Sequence, residues 1–147
     1  MSEPQPVYLS DYQPPAYRVT HTELTFDLDP SHTRVRARLS IERHPEVTST
    51  TPLVLEGEKL TLEALAIDGQ PLGEHEYRVD DHGLVINTVP AAFVLDSEVM
   101  IAPEQNTALE GLYQSNGMYC TQCEAQGFRR ITFYPDRPDV MATFRVT

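Results

Sequence analysis

From Tyr17 onward the chain alternates apolar and polar residues. Leu24, Phe26 and Leu28 share one parity, with polar Thr25 and Asp27 between them; this is the period of two that a strand buried on one face requires. Asp29, Pro30 and Ser31 supply a turn, after which Val35, Ala37, Leu39 and Ile41 alternate strictly with Arg34, Arg36, Arg38, Ser40 and Glu42. The arginines carry the outward parity, so this strand predicts a basic ladder facing water. Further strands are predicted over 53–55, 60–67, 76–79, 84–87, 93–101 and 140–146, with turns at Asp68-Gly69 and His82-Gly83. Strand signals recurring every 8–12 residues or so, with no sustained helical period before residue 105, predict a mainly β fold: an antiparallel β-sandwich or curved sheet.

Two stretches break the pattern. Residues 1–16, with Pro4, Pro6, Pro14 and Pro15, read as an extended lead-in with little structure of its own. Beyond Pro103 a short helical turn is expected near 106–114, interrupted by Gly111 and Gly117, and 120–127 reads as a polar, irregular loop. The chain is therefore divided into a lead-in, 1–16, and one β domain, 17–147, whose last strand runs to the chain end and reads as cut off in mid-sheet.

Charge narrows the choice of partner. The 147 residues hold 11 Lys and Arg against 22 Asp and Glu, a formal charge of −11, opposite in sign to what phosphate neutralisation needs. Nucleic acid and anionic membrane are excluded as expected partners, whereas a cationic ligand such as a free amine suits an acidic protein, as does simple solubility. No apolar run approaches the ~20 residues of a membrane span, and the N-terminus lacks a basic segment followed by an apolar one. Cys120 and Cys123 are too close in sequence to staple distant parts of a secreted scaffold, so the cytoplasm is the expected compartment.

Complete catalytic motifs are missing from the sequence. Cys120-Thr121-Gln122-Cys123 is C-x-x-C, half a structural zinc site or a thiol–disulfide motif. The first reading lacks a second ligand pair, and the second lacks the βαβ setting that redox motifs occupy. The histidines at 21, 32, 44, 75 and 82 are scattered, and His75-Glu76-Tyr77-Arg78-Val79 comes nearest to H-E-x-x-H but has Val where the second ligand belongs. His75 is expected on the surface. No nucleophile elbow, P-loop or dinucleotide fingerprint occurs.

The segments Asn106 to Ser115, Cys120-Thr121-Gln122-Cys123-Glu124-Ala125, Gly127-Phe128-Arg129 and Tyr134-x-x-Arg137-Pro138-Asp139-Val140 closely resemble the bacterial aminopeptidase N family. Leu24-Thr25-Phe26-Asp27-Leu28-Asp29 resembles that family's opening strand, so the likeness runs from about Ser10 to the end. The resemblance implies an N-terminal β domain that precedes, in the parent polypeptide, a thermolysin-like catalytic domain of the gluzincin type. Zinc would be held there by H-E-x-x-H and a later Glu; those residues, and the family's G-x-M-E-N substrate-binding motif, are absent from this sequence. The isolated chain is accordingly expected to hold no catalytic residue, no metal ligand and no hydrolytic activity.

What the resemblance carries over is a Gln-x-Glu element, here Gln122 and Glu124, which in the family helps bind the substrate's free α-amine. The chemistry agrees, because an exopeptidase must recognise the chain end, and a carboxylate at a fixed place pairs with the ammonium there. The expected partners are the catalytic domain of the same polypeptide and peptides with a free N-terminus. The alternative is a non-catalytic β-sandwich interaction module that has kept the scaffold without a peptidase.

Overall fold

The computed structural model describes residues 4–147 and is mainly β. Its largest layer is a six-stranded sheet built from β1 (Tyr17–Asp27), β2 (Thr33–Arg43), β4 (Thr61–Ile67), β5 (Gln70–Pro71), β8 (Ala92–Ile101) and β11 (Thr143–Val146), in the order β11-β1-β2-β8-β4-β5. A three-stranded sheet, β3 (Leu53–Glu56), β7 (Gly83–Ile86) and β6 (Tyr77–Asp80), lies against it, and β9 (Gly111–Ser115) with β10 (Met118–Gln122) forms a separate hairpin. All pairings are antiparallel except β1 with β11, where His21 to Leu24 run parallel beside Thr143 to Val146.

Alternation explains where the core sits. Val35, Ala37, Leu39 and Ile41 of β2, with Leu95 and Val99 of β8, point inward and meet Leu53, Leu55, Leu84 and Ile86 of the smaller sheet in one buried cluster. Side chains of successive residues fall on opposite faces of a strand, so this set needed only a correct parity. In β1 the parity changes: Tyr17 and Val19 are buried, then Thr22 and Leu24, because a bulge between Val19 and His21 inserts an extra residue. Leu28, predicted on the inner face, lies past the end of the strand and is exposed.

The arginine ladder faces outward as read from the sequence, but it is not left free. Arg34 pairs with Glu98 at 2.9 Å, Arg36 with Asp27 at 2.6 Å and Arg38 with Asp96 at 2.7 Å, so carboxylates of the flanking strands take up the row.

Several expectations need correction. No helical turn occurs over 106–114: a 3-10 turn lies earlier, at Pro103–Gln105, and the region from Gly111 to Gln122 is the β9–β10 hairpin. Asn116 and Gly117 form its turn with φ of 51° and 77°, the conformation of a two-residue turn that matches strand twist. The glycines that looked like breaks are parts of that hairpin. The last strand begins at Thr143 rather than residue 140, and Val140 is instead buried in the turn preceding it. Among its described residues the lead-in contains one 3-10 turn, Leu9–Asp11, and is exposed up to Pro14.

Candidate functional site

β10 delivers Gln122 to the mouth of a tight loop. Gln122 stands opposite Gly111 at the last rung of the hairpin, and the chain then turns through Cys123, Glu124, Ala125 and Gln126 to reach Gly127, whose N–H donates to the Cys123 carbonyl at 2.8 Å. Gln122 and Glu124 are both exposed, and the peptide bond between Glu124 and Ala125 is cis. The Gln122 side-chain amide comes to 3.5 Å from the Glu124 carbonyl oxygen, which leaves the Glu124 carboxylate unengaged by any hydrogen bond or ion pair among the described residues.

The loop is anchored behind Gly127. The 3-10 turn Phe128–Arg130 follows at once and packs Phe128 edge-on against Tyr134, 4.8 Å between ring centroids, with Phe144 of β11 6.0 Å from Phe128. Arg129 Nε donates to Asp136 at 3.0 Å with both side chains mostly buried, and the Asp136 N–H donates to Glu56 at 3.0 Å. Arg130 lies between Glu58, at 3.4 Å, and Glu110, at 3.6 Å. Ion pairs and aromatic packing thus tie the far side of the loop to β3 and to the segment before β11, leaving its tip free toward solvent.

The cysteines flank this loop without forming a reactive centre. Both are free thiols, and burial, with Asp136 nearby, pushes the Cys123 thiol up, so it stays protonated and poorly nucleophilic at neutral pH. Among the described residues no three His, Cys, Asp or Glu side chains gather in a way that would hold a metal ion, and His75 is exposed. Gln122 and Glu124 are close in space as well as in sequence. What the sequence reading missed is the pair of glycines, Gly111 and Gly127, packed at the loop's neck. In the sequence Gly111 stands as a break in an expected helical turn and Gly127 as the end of an irregular loop, and nothing local links the two.

With that geometry in view, the chain can be compared with known proteins. The peptidase M1 N-terminal domain matches residues 13–147, and the chain belongs to that family. It is 52% identical over 143 residues to aminopeptidase N of Caulobacter vibrioides, an alignment covering 97% of this chain and 16% of that protein. The crystal structure of Legionella pneumophila aminopeptidase A in complex with aspartic acid is similar with a TM-score of 0.84 and 35% identity, over 94% of this chain and 16% of that one. The fold is also that of an M1 zinc metallopeptidase from Deinococcus radiodurans, TM-score 0.73 at 20% identity, over 89% of this chain and 32% of that one. The chain spans only 16% of the length of its aminopeptidase N relative.

Proposed function

We propose that this chain is the N-terminal β domain of a zinc-dependent aminopeptidase, a hydrolase that removes residues from the free N-terminus of peptides. Residues 17–147 form the domain and 1–16 its lead-in; the domain packs on the catalytic domain of the same polypeptide, and Gln122 and Glu124 help bind the substrate's α-amine. The observation that carries the reading is the Gln122–Glu124 loop: an exposed, otherwise unengaged carboxylate on a segment braced behind by the mostly buried Arg129–Asp136 ion pair and the looser, partly exposed contact of Arg130 with Glu58.

An α-ammonium offers three N–H donors, and a carboxylate with a carboxamide oxygen can accept two of them. Holding the amine at a fixed place sets how far the scissile bond lies from the reacting centre, which is how an exopeptidase counts one residue. The residues present do not fit a zinc site, so metal and hydrolysis belong to parts of the polypeptide outside this chain, and Glu124 is a binding group rather than a catalytic residue. A cytoplasmic location is part of the proposal, supported by two cysteines too close in sequence to staple the fold.

Glu124→Ala in the whole polypeptide tests this. Removing one partner of a desolvated charge pair costs roughly 2–5 kcal/mol, so kcat/KM on peptides with a free N-terminus should fall at least about 30-fold. Kinetics equal to those of the unmutated enzyme would overturn the role.

A further inference from the structure

Gly111 and Gly127 meet where the two ends of the Gln122–Glu124 loop close. A Cβ on Gly127 would collide with the Gln122 carbonyl oxygen and lie 3.1 Å from both the Cys123 Cα and the Gly111 nitrogen. Those neighbours are all backbone and cannot rotate aside. Gly111 has φ +75°, and a Cβ there would lie 2.7 Å from the Arg130 Cβ and 3.3 Å from the Gly127 carbonyl oxygen. Arg130 is held in turn between Glu58 and Glu110, so the neck can widen toward Arg130 only by disturbing that pairing.

We infer that Gly111 and Gly127 are positioning residues for Gln122 and Glu124: contact between their bare Cα atoms and the backbone around them sets the direction in which the loop presents its carboxylate. The inference rests on the role proposed above for that loop. It assigns the amine-binding geometry to a steric neck that acts together with the 2.8 Å hydrogen bond from the Gly127 N–H to the Cys123 carbonyl, the side chains of the loop supplying only the weak 3.5 Å contact from Gln122. Gly117 is an internal control. It has nearly the same φ as Gly111, +77°, yet an added Cβ meets nothing within 4 Å. An alanine at Gly117 therefore carries the backbone strain without the collision.

Two experiments separate this inference from the reading beneath it. In the first, amide hydrogen exchange is followed on this chain. Gly127→Ala and Gly111→Ala should speed exchange at the hydrogen-bonded Gly127 and Arg130 amides by about tenfold or more, the signature of a lower local opening energy, whereas Gly117→Ala should leave those amides unchanged. If Gly127→Ala does not fold, Gly111→Ala, whose tightest contact is with a side-chain carbon, carries the test alone. Unchanged loop amides in the variants that fold, or an equal response to Gly117→Ala, would overturn the inference.

In the second, Gly111→Ala is made in the whole polypeptide. A misplacement of about 1 Å can cost up to about 100-fold, so kcat/KM for peptides with a free N-terminus should fall roughly 10- to 100-fold and KM should rise, a rise that a mere loss of folded enzyme would not produce. Because the glycine acts through Gln122 and Glu124, adding Gly111→Ala to a variant that carries both Gln122→Ala and Glu124→Ala should cost no more than that double variant alone. Additive losses would overturn the inference. A silent Glu124→Ala would instead overturn the role proposed for the loop, while the exchange data still decide whether the glycines position it.

Discussion

Asp139 ties the lead-in to the body of the fold. Arg137 donates to its carboxylate from Nε at 2.9 Å and Nη2 at 2.7 Å, the Tyr12 hydroxyl donates at 3.0 Å, and Arg137 Nη2 also reaches the Gln13 carbonyl at 2.8 Å. The Arg137 hydrogen bonds, then that of Tyr12, hold the Asp139 carboxyl below the usual range, and Asp139 in turn raises the Tyr12 phenol. A lowered folded pKa contributes attachment that is present above the ordinary aspartate value of about 3.9 and lost as pH falls through the lower folded value. A raised one contributes attachment that is full below the ordinary tyrosine value of about 10 and lost as pH rises through the higher folded value. The lead-in should therefore stay pinned across the neutral range and come free only at the two extremes. Limited proteolysis at neutral pH should cut Tyr12→Phe faster within the lead-in while its unfolding midpoint stays close to wild type; release of the wild-type lead-in between pH 6 and 8 would contradict the attachment described.

On β2, adjacent residues have different energetic weights. Leu39 is 1% exposed in the core, and Leu39→Ala should lower unfolding stability by about 2–5 kcal/mol through lost burial and the cavity left behind. Arg38 pairs with Asp96 at 2.7 Å, but its side chain is 60% exposed, so Arg38→Ala should cost under about 1 kcal/mol. Urea unfolding of the two variants checks both; equal losses would mean that the outer ladder carries as much stability as the core. The same alternation made β2 legible, since strict period two admits only one assignment of faces. It failed in β9 and β10, where Leu112-Tyr113-Gln114 does not alternate, although Asn116-Gly117 is a pair that a two-residue hairpin turn favours. The bulge in β1 could not be read either, because it follows from pairing with β2 rather than from any local residue type.

At the scale of the molecule, composition and periodicity predicted a mainly β fold, and the two face-to-face sheets agree with that. The parallel seat of β11 on β1 was out of reach because its partners, such as His21 and Thr143, are distant in sequence and leave no local signal. Gln122 and Glu124 were found by family resemblance rather than by pattern, and the glycine neck that braces them is visible only once both ends of the loop are placed. Charge leads to the last prediction. The chain carries eleven more acidic than basic side chains, so repulsion among carboxylates acts over the whole surface, while the attractive pairs of the outer sheet face, such as Arg36 with Asp27 at 2.6 Å, act at contact. Salt shortens the screening length from about 30 Å at 0.01 M to about 3 Å at 1 M. The long-range repulsion is removed by that change more completely than the contact pairs, each of which contributes at most about 1 kcal/mol when exposed. The thermal midpoint should consequently rise as sodium chloride is raised from low concentration toward about 0.5 M, chloride being chosen because sulfate would add an exclusion effect of its own. A falling midpoint would show that the cross-strand ladder outweighs the net charge.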